Sequence, residues 1–290
     1  MFHFRNDKPA PTAVHTCSVR TSRNLLLLLV LATINSGCAY FDGRSKSAEV
    51  AEIHPGILQG YLSSQELPTS LALLPSPPAK GSAALALDEE VARNNVALRD
   101  TPRWEQATSD ADLSFPTAAA VFSCALEAPI TEQDTPQLYL LLRRSLADAG
   151  LSTYTAKNNY QRQRPFTVNK EPICTPHEQE VLAKDGSYPS GHTAIGWAWA
   201  LILTEVSPAQ ADAILARGLA YGESRNVCNV HWHSDVVQGR VMGAATVARL
   251  HDNPTFQADL KAAKAELEAV RKAGLKPGRD CAAEARALAH

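Results

Sequence analysis

Residues 193–205 are apolar on almost every side, with Ile195, Trp197, Trp199, Leu201, Ile202 and Leu203 crowded into little more than three helical turns. A helix with one apolar stripe can lie on a surface, but one apolar all round has to be enclosed. The chain must therefore supply neighbours on several sides of this segment. Alternating strand patterns are scarce, so those neighbours are expected to be helices. Candidates are easy to find. Residues 83–98 carry Leu85, Val91 and Val96 among good helix formers. Asp134-Thr135-Pro136 opens a segment with Leu138, Leu141, Leu142 and Leu146 that Gly150 can close. Ser207-Pro208-Ala209-Gln210 has the order of an N-cap, a first-turn proline and a capping-box glutamine, and predicts a helix running toward Tyr221. Another is predicted from near Ser234 through Val241 and Ala245 to Leu250, and a last, amphipathic one over residues 256–272. The expected fold is all-α, with a single helical domain.

The N-terminus has the layout of an export signal. Arg20 and Arg23 precede an apolar run from Leu25 to Ala32, followed by small and polar residues ending at Gly37-Cys38-Ala39. Cleavage after Ala39 would release a soluble protein, whereas cleavage before Cys38 would leave a lipid-anchored one. Asn35 stands where a lipoprotein signal carries Leu or a similar apolar residue, which favours release. A periplasmic or secreted protein is expected, with anchoring through Cys38 as the alternative. No later segment is long and apolar enough for a membrane helix, so no integral membrane domain is expected. The 28 basic and 30 acidic side chains nearly cancel, which makes nucleic acid an improbable partner. The expected organisation is a signal peptide over residues 1–38, a proline-rich arm or linker over 39–82 (Pro55, Pro68, Pro75, Pro77, Pro78), a helical domain over 83–255, and a C-terminal amphipathic helix and tail over 256–290. In an oxidising compartment Cys124, Cys174, Cys228 and Cys281 can form two disulfides, in any of three pairings.

Three short strings hold most of the polar chemistry: Lys157-x6-Arg164-Pro165, then Tyr188-Pro189-Ser190-Gly191-His192, then Ser224-Arg225-x5-His231-x3-Asp235. Lys157 and Arg164 are seven apart, which on one helix would put both cations on the same face. The turn at Pro189-Ser190-Gly191 falls where the buried helix begins, so its unpaired backbone N–H groups and the helix dipole favour an anion. Gly191 allows close backbone approach, Ser190 can donate its hydroxyl, Arg164 and Arg225 offer paired donors, and Lys157 adds a compact charge. His231 and Asp235 lie four apart across an expected helix start. A carboxylate there can accept the imidazole Nδ1–H and leave Nε2 free to attack. His192, emerging from the same turn, can protonate a leaving oxygen. His177, His233 and His251 have no comparable partners in the sequence and are read as structural or exposed. Taken singly, a His-x3-Asp is usually a surface helix pair and a Ser-Gly-His usually a turn; their joint occurrence in this order points to breaking a phosphate ester.

The three strings resemble the KxxxxxxRP, PSGH and SRxxxxxHxxxD pattern of the type 2 phosphatidic acid phosphatase and vanadium haloperoxidase superfamily, with every defining position present. Residues 186–193, Gly-Ser-Tyr-Pro-Ser-Gly-His-Thr, further resemble the signature of the bacterial class A non-specific acid phosphatases, which are secreted, soluble and all-α. The resemblance implies an acid phosphatase of broad specificity for small phosphate monoesters, working through a phosphohistidine and needing neither metal nor other cofactor. His231 would be the nucleophile, Asp235 its orienting group and His192 the general acid, with Lys157, Arg164, Ser190, Gly191 and Arg225 binding phosphate. Its rivals are a vanadium-dependent haloperoxidase, a lipid phosphatase using the same oxyanion site, and a non-catalytic phosphate-binding module. The physiological ester and the oligomeric state, a homo-oligomer included, stay open.

Overall fold

The computed structural model describes residues 50–289, so the predicted export signal, with Cys17 and Cys38, lies outside the described residues. A two-residue turn joins the antiparallel strands β1 (Glu52–His54) and β2 (Ile57–Leu58). Everything regular after them is helical: α1 (Ser70–Leu73), α2 (Ala83–Asn95), α3 (Pro102–Asp110), α4 (Thr117–Ala120), α5 (Ser123–Leu126), α6 (Pro136–Leu151), α7 (Tyr154–Tyr160), α8 (Pro165–Asn169), α9 (Gln179–Leu182), α10 (Gly191–Val206), α11 (Ala211–Val227), α12 (His233–Leu250), α13 (Pro254–Lys272) and α14 (Cys281–Leu288), with three single 3₁₀ turns between. None of these helices is long and apolar enough to cross a membrane.

α10 is the enclosed helix that the apolar run requires. It packs against α6, α11, α12 and α13. Trp199 at its centre is fully buried and satisfies its indole N–H on the Leu142 carbonyl at 3.0 Å. Glycines let α12 come close to α10: a Cβ at Gly239 would lie 2.6 Å from the Ser190 carbonyl oxygen, and one at Gly243 2.6 Å from that of Ala194. Any side chain at either position would push the two helices apart, and with them the Ser190 N–H···O=C Asp235 bond of 3.0 Å that ties the start of one to the start of the other. Residues from Val50 onward form one compact unit. The amphipathic α13 contributes Phe256, Leu260, Ala263, Leu267 and Val270 to the same core as α6 and α10. Residues of the proline-rich stretch are packed down too. Tyr61 stands edge-on to Phe256 and donates its hydroxyl to Asp259, while the Tyr61 and Leu62 N–H groups both end on the buried Asp148 carboxylate.

Of the three possible cysteine pairings, the structure has Cys124–Cys281 and Cys174–Cys228. The second joins a smaller apolar cluster of Ala107, Phe166, Ile173, Val227 and Val230, the last of which precedes His231 in the chain. At Ser207 the expected capping box does not form. Its hydroxyl bonds the Gln210 side chain, a 3₁₀ turn over Pro208–Gln210 intervenes, and α11 then runs past Tyr221 to Val227. Ser224 and Arg225 are therefore buried helical residues.

Candidate active site

Ser190 caps α10: its extended backbone turns the chain into the helix, and its hydroxyl oxygen accepts from the Thr193 N–H at 3.3 Å and the Thr193 hydroxyl at 2.9 Å. Because that oxygen is the acceptor in both, the Ser190 hydroxyl hydrogen stays available to another acceptor. A Cβ at Gly191 would meet only the Thr153 hydroxyl, at 3.6 Å, so packing within the protein does not require this glycine.

Lys157 and Arg164 do not share a helix face. Gln161, at φ 44°, stops α7 in the left-handed region, and Arg164 is the N-cap of the separate short helix α8. They converge instead on one carboxylate, Asp185, whose Oδ2 lies 3.3 Å from Lys157 Nζ and 2.9 Å from Arg164 Nη2. Asp185, three residues before Tyr188, carries no sequence signal beyond its place beside the second string. Arg164 is mostly committed to the protein: Nε donates to the Leu182 and Asp185 carbonyls, and Nη1 to the Val230 carbonyl and to His231 Nε2 at 3.1 Å. Burial, and then neighbouring Arg164, pull Lys157 down to about 8.

Arg225 is different. It is 1 % exposed, and neither its Nε nor its Nη1 has a hydrogen-bond partner among the described residues. Burial pulls it down to about 10, against the favourable fields of Tyr221 and Glu178. A buried guanidinium with unspent donors is costly by itself and well matched to an oxyanion.

After α11 ends at Val227 with Cys228 as its C-cap, Asn229 takes φ 59° and the chain doubles back, with the Asn226 side-chain amide donating to the His231 carbonyl at 2.9 Å. His231 is thereby held from both sides. Its Nδ1 faces Asp235 Oδ2 at 3.3 Å, and its Nε2 faces the Arg164 guanidinium, which can only donate. The proton therefore sits on Nδ1, and Nε2 carries the lone pair. Burial, followed by the positive fields of Arg164, Lys157 and Arg225, lowers the proton affinity of His231 well below the ordinary imidazole range. Asp235 is the third residue of α12. Its Oδ2 also accepts the Trp232 N–H at 2.8 Å, and its Oδ1 accepts Arg162 Nη1 at 2.6 Å. Arg162 falls among the six spacer positions between Lys157 and Arg164 and was silent in the sequence.

His192 donates Nε2–H to the Ala111 carbonyl at 2.9 Å, leaving Nδ1 as its titrating nitrogen. Burial, then Arg225, lowers its proton affinity well below the ordinary range. It stands at the edge of a cleft of about 800 Å³ whose other lining includes Glu105, Asp112, Glu178, Thr175 and His177, with no Lys or Arg. His177 is exposed, as the sequence reading allowed, and forms part of the cleft wall. His251 instead pairs with Glu205. Among the described residues no three His, Cys, Asp or Glu side chains gather as a metal site would need.

Residues 138–256 match the PAP2 superfamily. The chain is 46 % identical over 213 residues to a non-specific acid phosphatase of Providencia stuartii, covering 73 % of this chain and 86 % of that one. The chain belongs to the bacterial class A non-specific acid phosphatases. It is also 40 % identical over 211 residues to the non-specific acid phosphatase of Salmonella typhimurium (72 % of this chain, 84 % of that one), and 41 % identical over 207 residues to an acid phosphatase of Zymomonas mobilis (71 % and 78 %).

Proposed function

We propose that this acid phosphatase hydrolyses a broad range of small phosphate monoesters through a phosphohistidine on His231, without a metal, after export to the periplasm or beyond. The observation that carries the reading is Arg225, a buried cation with two unspent donors whose field, with those of Lys157 and Arg164, reaches His231. The phosphoryl group is taken to rest among Arg225, Lys157, the remaining Nη2–H of Arg164, the Ser190 hydroxyl and the Gly191 N–H. His231 Nε2 attacks phosphorus, the P–N bond forms, and the P–O bond to the leaving group breaks. The leaving oxygen takes the proton of His192, so the departing species is a neutral alcohol. As the His231 ring becomes cationic, its Nδ1–H is held by Asp235. Water then gives a proton to the now neutral His192 and its oxygen to phosphorus, the P–N bond breaks, and both histidines return to their starting states. The three cations offer the charge stabilisation that a metal would otherwise supply to the transferring phosphoryl group.

Release of phosphate from an aryl phosphate, measured after exhaustive chelation and again with vanadate, tests this reading. Full activity after chelation and inhibition by vanadate are expected. Loss on chelation that a divalent metal restores would overturn metal independence, and peroxide-dependent halide oxidation with added vanadate would point to a haloperoxidase.

A further inference from the structure

Asp235 is completely buried, and a carboxylate so placed is driven toward its neutral form. A neutral Asp235 would be a poor partner for the ring it faces. The surrounding cations Lys157, Arg164 and Arg225 already disfavour a positive His231, and phosphoryl transfer requires that ring to become positive. Among the groups facing Asp235 (Arg162, the Trp232 N–H, Ser187, His231, Tyr188, and Lys157 and Arg164 farther off), Arg162 is the one that most strongly opposes the effect of burial.

The Arg162 side chain is itself only 10 % exposed and is forked. Nη1 bonds Asp235 Oδ1 at 2.6 Å and the Ser234 hydroxyl at 2.8 Å, while Nη2 bonds Asp88 Oδ2 at 2.7 Å. Asp88 is 1 % exposed on α2. Its Oδ1 accepts the Ser234 N–H at 2.7 Å and its Oδ2 the Ser234 hydroxyl at 2.7 Å, so the carboxylate also caps the first turn of α12. An unbroken line of charged hydrogen bonds thus runs from α2 to the imidazole: Asp88, Arg162, Asp235, His231.

We propose that Arg162 is a positioning residue that keeps the buried Asp235 carboxylate charged and fixed against His231, and that Asp88 anchors Arg162 from α2. The proposal rests on His231 being the nucleophile. Asp88 has two effects here. It orients the guanidinium, and it is a second negative charge competing for it.

The test is the acid limb of the pH dependence of kcat, followed by phosphate release, in Arg162→Met, Arg162→Lys, Asp88→Asn and His231→Ala. Loss of the Arg162 charge should move the limb to higher pH by about 1–3 units, since that is what an adjacent guanidinium is worth to an aspartate. Arg162→Lys should return most of the shift. Asp88→Asn keeps a hydrogen-bond acceptor for Arg162 but removes the competing charge, so its limb should move the other way, to lower pH. A purely structural role would lower kcat equally at every pH and would not give opposite shifts. Equal loss across the profile, an unmoved limb in Arg162→Met, or an upward shift in Asp88→Asn would each overturn the proposal. Should Arg162→Met fail to fold by circular dichroism, the direction of the Asp88→Asn shift decides alone. Turnover by His231→Ala near the wild-type rate would sink the nucleophile assignment itself, whereas an inactive His231→Ala beside an unmoved Arg162→Met limb sinks only the role given to Arg162.

Discussion

Replacing Arg225 with methionine should inactivate the enzyme and make it more heat-stable. Two donors of Arg225, Nε and Nη1, are buried without a partner among the described residues. An unsatisfied buried donor costs about 1–3 kcal/mol, so relieving two is worth ~2–6 kcal/mol. The slimmer side chain leaves space behind, and a small cavity of that kind takes back about 1–2 kcal/mol. The net expectation is a gain of ~0–5 kcal/mol, and for a domain of this size each kcal/mol moves Tm by about 2–4 °C. Function should go the opposite way. Two hydrogen bonds from a charged donor to a phosphoryl oxygen are worth about 1.5–3 kcal/mol each, or ~10²–10⁴ in kcat/KM. Calorimetric melting of wild type and Arg225→Met, with and without phosphate, and kcat/KM for an aryl phosphate read all of these quantities. Phosphate at about 100 times its Kd should stabilise the wild type by about 2.7 kcal/mol and should do little for the variant. A variant that melts several degrees below wild type, or keeps kcat/KM within tenfold of it, would refute the idea that Arg225 is a cation held ready for an oxyanion.

The field of Arg225 that disfavours protonation of His192 should be offset by a bound dianion, so binding should take up a proton, and affinity should fall as pH rises through the bound-state titration. Calorimetry with sulfate, which has no proton to lose in this range, in two buffers of different ionisation enthalpy should detect the uptake, and His192→Ala should abolish it; proton release, or uptake unchanged in the variant, would contradict this. Unperturbed imidazoles would put the activity maximum at roughly pH 5 to 7. With both imidazoles pulled down by burial and cations, the maximum of kcat/KM should lie toward the acid end of that range, and a maximum above neutrality would count against the site. His192→Ala should slow alkyl phosphates far more than nitrophenyl phosphate, whose leaving oxygen hardly needs a proton; an equal loss for both would remove the general-acid role. The carboxylates of Glu105, Asp112 and Glu178 in the cleft should disfavour leaving groups that are themselves anionic. Glu178→Gln should therefore raise kcat/KM several-fold for a carboxylate-bearing ester and leave glycerol phosphate nearly unchanged.

The parts of this molecule that sequence could reveal are those where neighbours in the chain are neighbours in space. The enclosure of α10 followed from its apolar faces, and the pairing of His231 with Asp235 from four-residue spacing at a helix start. Lys157 and Arg164 misled, because residues 152–164 have no apolar period to define a helix and the left-handed turn at Gln161 splits them. They meet through Asp185 instead. Arg162 and Asp88 were illegible for a different reason. One sits in a motif spacer and the other in a run with Glu89 and Glu90 that reads as a solvated helix face, and only the tertiary packing makes Arg162 a partner of Asp235 and Asp88 a partner of Arg162. The disulfide pairing had the same origin: Cys124 and Cys281 are 157 residues apart and meet only once α14 is in place.

The most direct test of the mechanism is to find where the phosphoryl group goes. His192→Ala should slow both formation and hydrolysis of the intermediate with poor leaving groups, but with labelled nitrophenyl phosphate it should chiefly slow hydrolysis and let label accumulate. Rapid quenching followed by peptide mapping should then recover an acid-labile, base-stable phosphoramidate on His231. Label on a serine or an aspartate, or undiminished turnover by His231→Ala, would contradict the account.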